Sequence, residues 1–162
     1  MNPTLQQLTF SGEMLARGFW LYIWEITTAD GNTSLYVGMT GDSSSANVQS
    51  PFNRLSQHLG TNRHANALRR QLEKAGIDPA ACRLFEMIAY GPILPEAASK
   101  EEHKPRWIVV AAMEKALRDA LHAAGYTVLN DVKCRQVLDD RHWQEVLAAF
   151  SERFTKLKPR TR

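Results

Sequence analysis

The apolar positions of this chain change period along its length, and each change marks an element. Residues 20–26 (Trp20-Leu21-Tyr22-Ile23-Trp24-Glu25-Ile26) place branched and aromatic side chains at successive positions, so both faces are apolar. That pattern predicts a strand buried on both sides. Asp30-Gly31-Asn32 follows, a triplet that favours chain reversal with positive φ. Residues 35–40 (Leu35-Tyr36-Val37-Gly38-Met39-Thr40) form a second short strand and complete a hairpin. Residues 41–50 are small and polar and read as solvated loop, placed where they would rim any site on the hairpin. Ser50-Pro51 then opens a helix that runs to His58.

Helical spacing returns at residues 64–75, with Ala67, Leu68, Leu72 and Ala75 on one stripe and Gly76 closing it. Residues 82–90, containing Leu84, Phe85, Met87 and Ile88, predict a third strand. Residues 91–105 hold Pro92, Pro95 and Pro105 and read as a loop too proline-rich for one regular element. Within it, Ser99 and Glu102 have the spacing of a capping box that can start a turn of helix. The longest helix is expected over residues 105–124, ending at Gly125. Residues 139–157 carry Trp143, Val146, Leu147, Phe150, Phe154 and Leu157 at helical spacing, a stripe that packs on the domain or, alternatively, on a second copy in a homodimer. Residues 1–17 read as a short helix or a strap against the sheet. The expected fold class is α/β in the α+β sense: a small antiparallel or mixed three-stranded sheet flanked by helices, with an extra C-terminal helix. One domain covers residues 1–162, with its core at about 19–131 and the helix and basic tail at 132–162.

Composition narrows this little. With 162 residues, 44% hydrophobic and 23% charged, the chain has the make-up of a globular domain large enough for a genuine core. A net charge of +3 is compatible with a nucleic-acid partner without requiring one. Cys82 and Cys134 lie in no Cys-x-x-Cys or Cys/His cluster, which argues against zinc and for reduced thiols. No apolar run reaches the ~18 residues of a membrane span, and residues 1–17 lack a signal-peptide core. The expectation is a cytoplasmic protein without a membrane partner.

Candidate chemistry sits on the elements just described. Glu114 follows seven apolar residues and, on a helix, shares a face with Val110, Ala111, Leu117 and Leu121. A carboxylate on such a stripe is costly unless something pairs with it. An i,i+4 ion pair with Arg118 is one partner; a cation is another. Arg54 and His58 are four positions apart and share a helix face. Tyr22 and Tyr36 lie on the paired strands, where packing in the core is the ordinary role of a tyrosine.

Leu21-Tyr22-Ile23, then Tyr36-Val37-Gly38, then Arg54-x-x-x-His58 resemble, in that order, the start of a GIY-YIG nuclease domain. Trp20 and Leu21 stand where the first tripeptide has Gly and Ile. The resemblance covers roughly residues 19–131 and implies metal-dependent hydrolysis of DNA phosphodiester bonds, on double-stranded or branched DNA. It places Glu114 as the ligand of Mg²⁺ (or Mn²⁺), which needs few protein oxygens, and Arg54 on the non-bridging phosphate oxygens. It makes Tyr22 the general base, provided that a cation and an arginine depress its pKa, with His58 as hydrogen-bond partner or substitute. Tyr36 would orient water or phosphate, Gly38 would leave room for backbone or ligand, and Asn130 would support the site or act only as a turn residue. Arg63, Arg69 and Arg70 would track phosphates, or form a solvated face. The long separation of Arg54 from Glu114 reads as an insertion in the 91–105 loop, placed to shape access of DNA. The alternatives are a nucleic-acid-binding module on the same fold without cleavage, or a protein-interaction module using the C-terminal stripe.

Overall fold

The two-sided apolar pattern becomes the middle strand of a sheet. A computed structural model describes residues 3–43, 45–62 and 65–158. In it β1 (Phe19–Thr27), β2 (Thr33–Met39) and β3 (Leu84–Leu94) form an open three-stranded sheet in the order β2-β1-β3. Both pairings are antiparallel. With α1 (Pro51–Leu59), α2 (Ala67–Lys74), α3 (Lys100–Ala123) and α4 (Asp140–Arg153), the described residues form an α+β fold. No helix among them is long and apolar enough to cross a membrane.

Because β1 is central, alternate residues feed two cores. Phe19, Leu21 and Ile23, with Leu35 and Val37 of β2, pack against Val110, Met113 and Leu117 of α3 and Val146 and Phe150 of α4. Tyr22, Trp24 and Ile26, with Tyr36, pack against Leu68 and Leu72 of α2 and against Leu55 of α1. Gly31 at φ +84° turns the hairpin, and Ser50 caps α1 by accepting from Asn53 N, with Pro51 in the first turn.

Three boundaries differ from expectation. The strand expected over 82–90 runs on to Leu94, through Pro92. The ladder carries a register shift between Phe19 and Leu21, and β3 is an edge strand, so a residue without an N–H is accommodated at a bulge. α3 starts at Lys100, capped by Ser99, and takes Pro105 into its exposed first turns. The expected 91–105 loop is therefore strand at one end and helix at the other, leaving residues 95–99 as its irregular part. α2 starts later than expected, at Ala67; His64 lies outside the described residues. The stripe of residues 139–157 is occupied by the domain itself: Val146, Phe150 and Phe154 are buried in the same core as β1, so the surface a homodimer would use faces inward.

Replacing Phe150, 1% exposed, with alanine should lower unfolding free energy by about 3–5 kcal/mol. Urea denaturation measures this; a loss below about 1 kcal/mol would separate α4 from the core.

Candidate active site

The carbonyls and amides of β2 decide where an opening can form. Residues 127–129 run along the outer edge of β2, with Leu35 N donating to Thr127 O and Leu129 N to Leu35 O, both at 2.8 Å. Asn130 continues this pairing with its side chain, accepting from Val37 N at 3.0 Å and donating to Val37 O at 2.8 Å. Past Val37 this edge pairing stops, and a cavity of about 410 Å³ opens. Its lining comes from β1 (Tyr22), β2 (Tyr36, Gly38, Met39), the following loop (Gly41, Asp42, Ser43), α1 (Arg54), α3 (Trp107, Ala111, Glu114) and residues 132–136.

Tyr22 reaches it because of Gly38. The two are cross-strand partners, and a Cβ at Gly38 would lie 2.5 Å from the Tyr22 ring and hydroxyl. The glycine thus makes room for the phenol of Tyr22. The Tyr22 hydroxyl meets His58 Nε2 at 2.6 Å. The rings of Tyr22, Trp24 and Tyr36 present themselves edge-on to His58, with centroids 5.4, 6.3 and 5.3 Å away. Burial pushes His58 down to about 3, and Arg54 pushes the same way, so the imidazole is neutral at physiological pH.

Charge in the cavity centres on Arg54 and Glu114. Arg54 Nη1 donates to Gln57 at 2.9 Å, while its buried Nε has no partner among the described residues. Glu114 lies one helical turn from Ala111 and two from Trp107, on the face of α3 that lines the cavity. Burial raises its carboxyl to about 7 against the opposing field of Arg54. Arg118 is engaged elsewhere, on Asn130 O at 3.0 Å, Asp119 at 3.3 Å and Asp131 at 3.8 Å, so the i,i+4 partner suggested by the sequence is turned away. Tyr36 is raised by burial and by Glu114, to about 12, although Arg54 and Arg70 oppose this.

The expected depression of the Tyr22 pKa is reversed. Arg54 does lower it, but burial in the middle strand outweighs that attraction and keeps the phenol protonated. His58 lies behind Tyr22, outside the cavity lining. Asn130 supports β2 without lining the cavity. Arg69 is engaged by the end of α1, its Nε on Gly60 O at 2.7 Å and its Nη2 on Leu59 O at 3.1 Å, where it satisfies carbonyls that a helix end leaves open. Arg70 is exposed on α2, within electrostatic reach of Tyr36. Arg63 lies outside the described residues. The sequence reading missed Trp107, Asp42 and residues 132–136; the alternation of basic and apolar residues at 132–135, straight after Asn130, was the available signal.

Comparisons with family models, with curated proteins and with solved structures find no match to this chain.

Unfolded, Glu114 releases its proton near pH 4.5; folded, it does so near 7. A raised carboxyl pKa withdraws stability as pH rises through that window. Between these two pH values, Glu114→Gln should therefore gain on the native protein by about 2 kcal/mol in urea unfolding. A pH-independent difference would show the carboxyl to be solvated. Gly38→Ala should cost about 1–3 kcal/mol through overpacking, and clearly less in a Tyr22→Leu background. Equal losses in both backgrounds would mean that the phenol does not occupy the space of the missing Cβ.

Proposed function

We propose that this chain is a metal-dependent nuclease similar to the GIY-YIG family, hydrolysing phosphodiester bonds of DNA. The observation that carries the reading is the convergence of Tyr22, Tyr36, Arg54 and Glu114, from four separate elements, on one cavity. Glu114 is a carboxylate with a raised pKa, facing the cavity and engaged by neither Arg118 nor Lys115, which binds Asp119. No group of three or more His, Cys, Asp or Glu side chains among the described residues has the arrangement of a metal cage. A single carboxylate suits a hard cation that keeps most of its waters, such as Mg²⁺ or Mn²⁺, and Glu114 would hold it. When bound, the cation would draw charge from the phosphate and stabilise the leaving oxygen.

The remaining steps belong to the protein's own side chains. Arg54, permanently charged, would place its guanidinium against the non-bridging oxygens, where negative charge grows in the transition state. Tyr36 orients the phosphate or the attacking water. The base is the Tyr22–His58 pair. With His58 neutral and Nε2 accepting, Tyr22 takes a proton from water as its own passes to Nε2, leaving hydroxide to attack and an imidazolium behind. A bound phosphodiester offsets the field of Arg54, the second of the two causes that hold His58 deprotonated. Offsetting that field moves His58 toward its ordinary value, while burial continues to hold it down.

One observation favours a second reading, a nucleic-acid-binding module without cleavage. Burial keeps Tyr22 protonated and leaves His58 a weak base in the substrate-free protein. The protein-interaction reading loses its surface, because the C-terminal stripe is buried.

Incubation of purified protein with plasmid and Mg²⁺ or Mn²⁺ should convert supercoiled DNA to nicked and linear forms. Arg54→Ala and Glu114→Ala should each reduce the rate by about 10²-fold or more. Retention of DNA without cutting under either ion would favour the binding module; failure to bind DNA at low salt would overturn both readings.

A further inference from the structure

Residues 132–136 form one wall of the cavity and have no helix or strand. The segment is tied down at both ends. Upstream, Asn130 is paired with Val37 on both sides of its amide, and Arg118 of α3 holds the Asn130 carbonyl. Downstream, Asp139 caps α4 by accepting from His142 N at 2.9 Å, and Leu138 packs against the main core. Between the anchors, burial alternates: Val132 and Cys134 are half-buried, Lys133 and Arg135 exposed. The Cys134 side chain packs on the core, so the two basic side chains share the outer side, as in an extended run. Both line the cavity. No hydrogen bond or ion pair engages either one among the described residues.

Two positions along such a run span roughly 6–7 Å, of the order of the distance between successive phosphates on one nucleic-acid strand. Arg54 inside the cavity suffices for a single phosphate. Two further cations held on an anchored wall exceed that need, and they are arrayed as a polyanion is. We propose that Lys133 and Arg135 are a backbone clamp that holds phosphates next to the scissile one. The substrate class is then a nucleic-acid strand gripped through its backbone, rather than a mononucleotide or a phosphomonoester. Contacts of this kind fix register and carry no base readout, so cleavage tolerates sequence at the clamped positions. The clamp rests on the nuclease reading of the cavity.

The test uses the full chain carrying Glu114→Gln, so that binding is read without cutting. Fluorescein-labelled single-stranded and duplex oligonucleotides are titrated by anisotropy across a salt series, with and without Lys133→Ala and Arg135→Ala together. Each lost phosphate contact removes about 0.7–0.9 from the slope of log affinity against log salt. The pair should therefore lower the slope by about 1.5 and weaken binding at low salt about tenfold or more. The charge-conserving pair Lys133→Arg and Arg135→Lys should keep the native slope, which a merely structural role would not predict. An unchanged slope in the alanine pair, with DNA still bound, overturns the clamp and leaves the nuclease reading standing. Absence of DNA binding by the parent chain at low salt overturns the nuclease reading, and the clamp with it.

Discussion

A phenol in the middle strand of a sheet covered on both faces must find its hydrogen-bond partner inside the protein. Tyr22 is fully buried, and its partner is His58, at 2.6 Å, brought across from α1. Much of the surrounding geometry serves that contact. Gly38 is a glycine because the phenol occupies the space of its Cβ. The three aromatic rings around His58 enclose it and hold it neutral, so that it can accept. The burial that makes the contact necessary also sets its electrostatics, raising the tyrosine and lowering the histidine. Desolvation disfavours the charged form of either group, so the pair rests as two neutral partners.

The neighbouring pair is arranged the other way. Arg54 and Glu114 keep charge or near-charge in a place where charge is expensive. Arg54 opposes the desolvation that raises Glu114. Each also acts on the tyrosines, which Arg54 lowers and Glu114 raises. A ligand that changes the charge at Arg54 or Glu114 therefore shifts the tyrosines as well. Perturbed groups of this kind cluster at functional sites, where burial and neighbouring charge are set against each other.

The edge of β2 joins the sheet to the rest of this arrangement. Residues 127–130 cover that edge only as far as Val37, and the chain then leaves the strand to wall the cavity and enter α4. Asn130 is the point of departure. By imitating a strand residue with its side chain it ends the edge pairing, and Arg118 fixes its carbonyl from α3. α3 thus supplies both Glu114 and the support for the wall beside it.

The amino-acid pattern by itself determined the hairpin, the helix opened by Ser50-Pro51, the amphipathic C-terminal helix and the presence of tyrosine, arginine, histidine and glutamate on neighbouring elements. These follow from local periodicity and capping, which need no knowledge of distant residues. What spacing leaves open is how groups far apart in sequence affect one another. Pro92 and Pro105 looked like loop residues because the bulged edge and the helix start that accept them are tertiary facts. Arg69 was open to phosphate tracking or a solvated face, and only the tertiary structure turns its Nε and Nη2 onto the carbonyls at the end of α1. The direction of the Tyr22 shift depended on whether burial or Arg54 prevailed, and only the packing of α1, α2 and α3 around the sheet decided it.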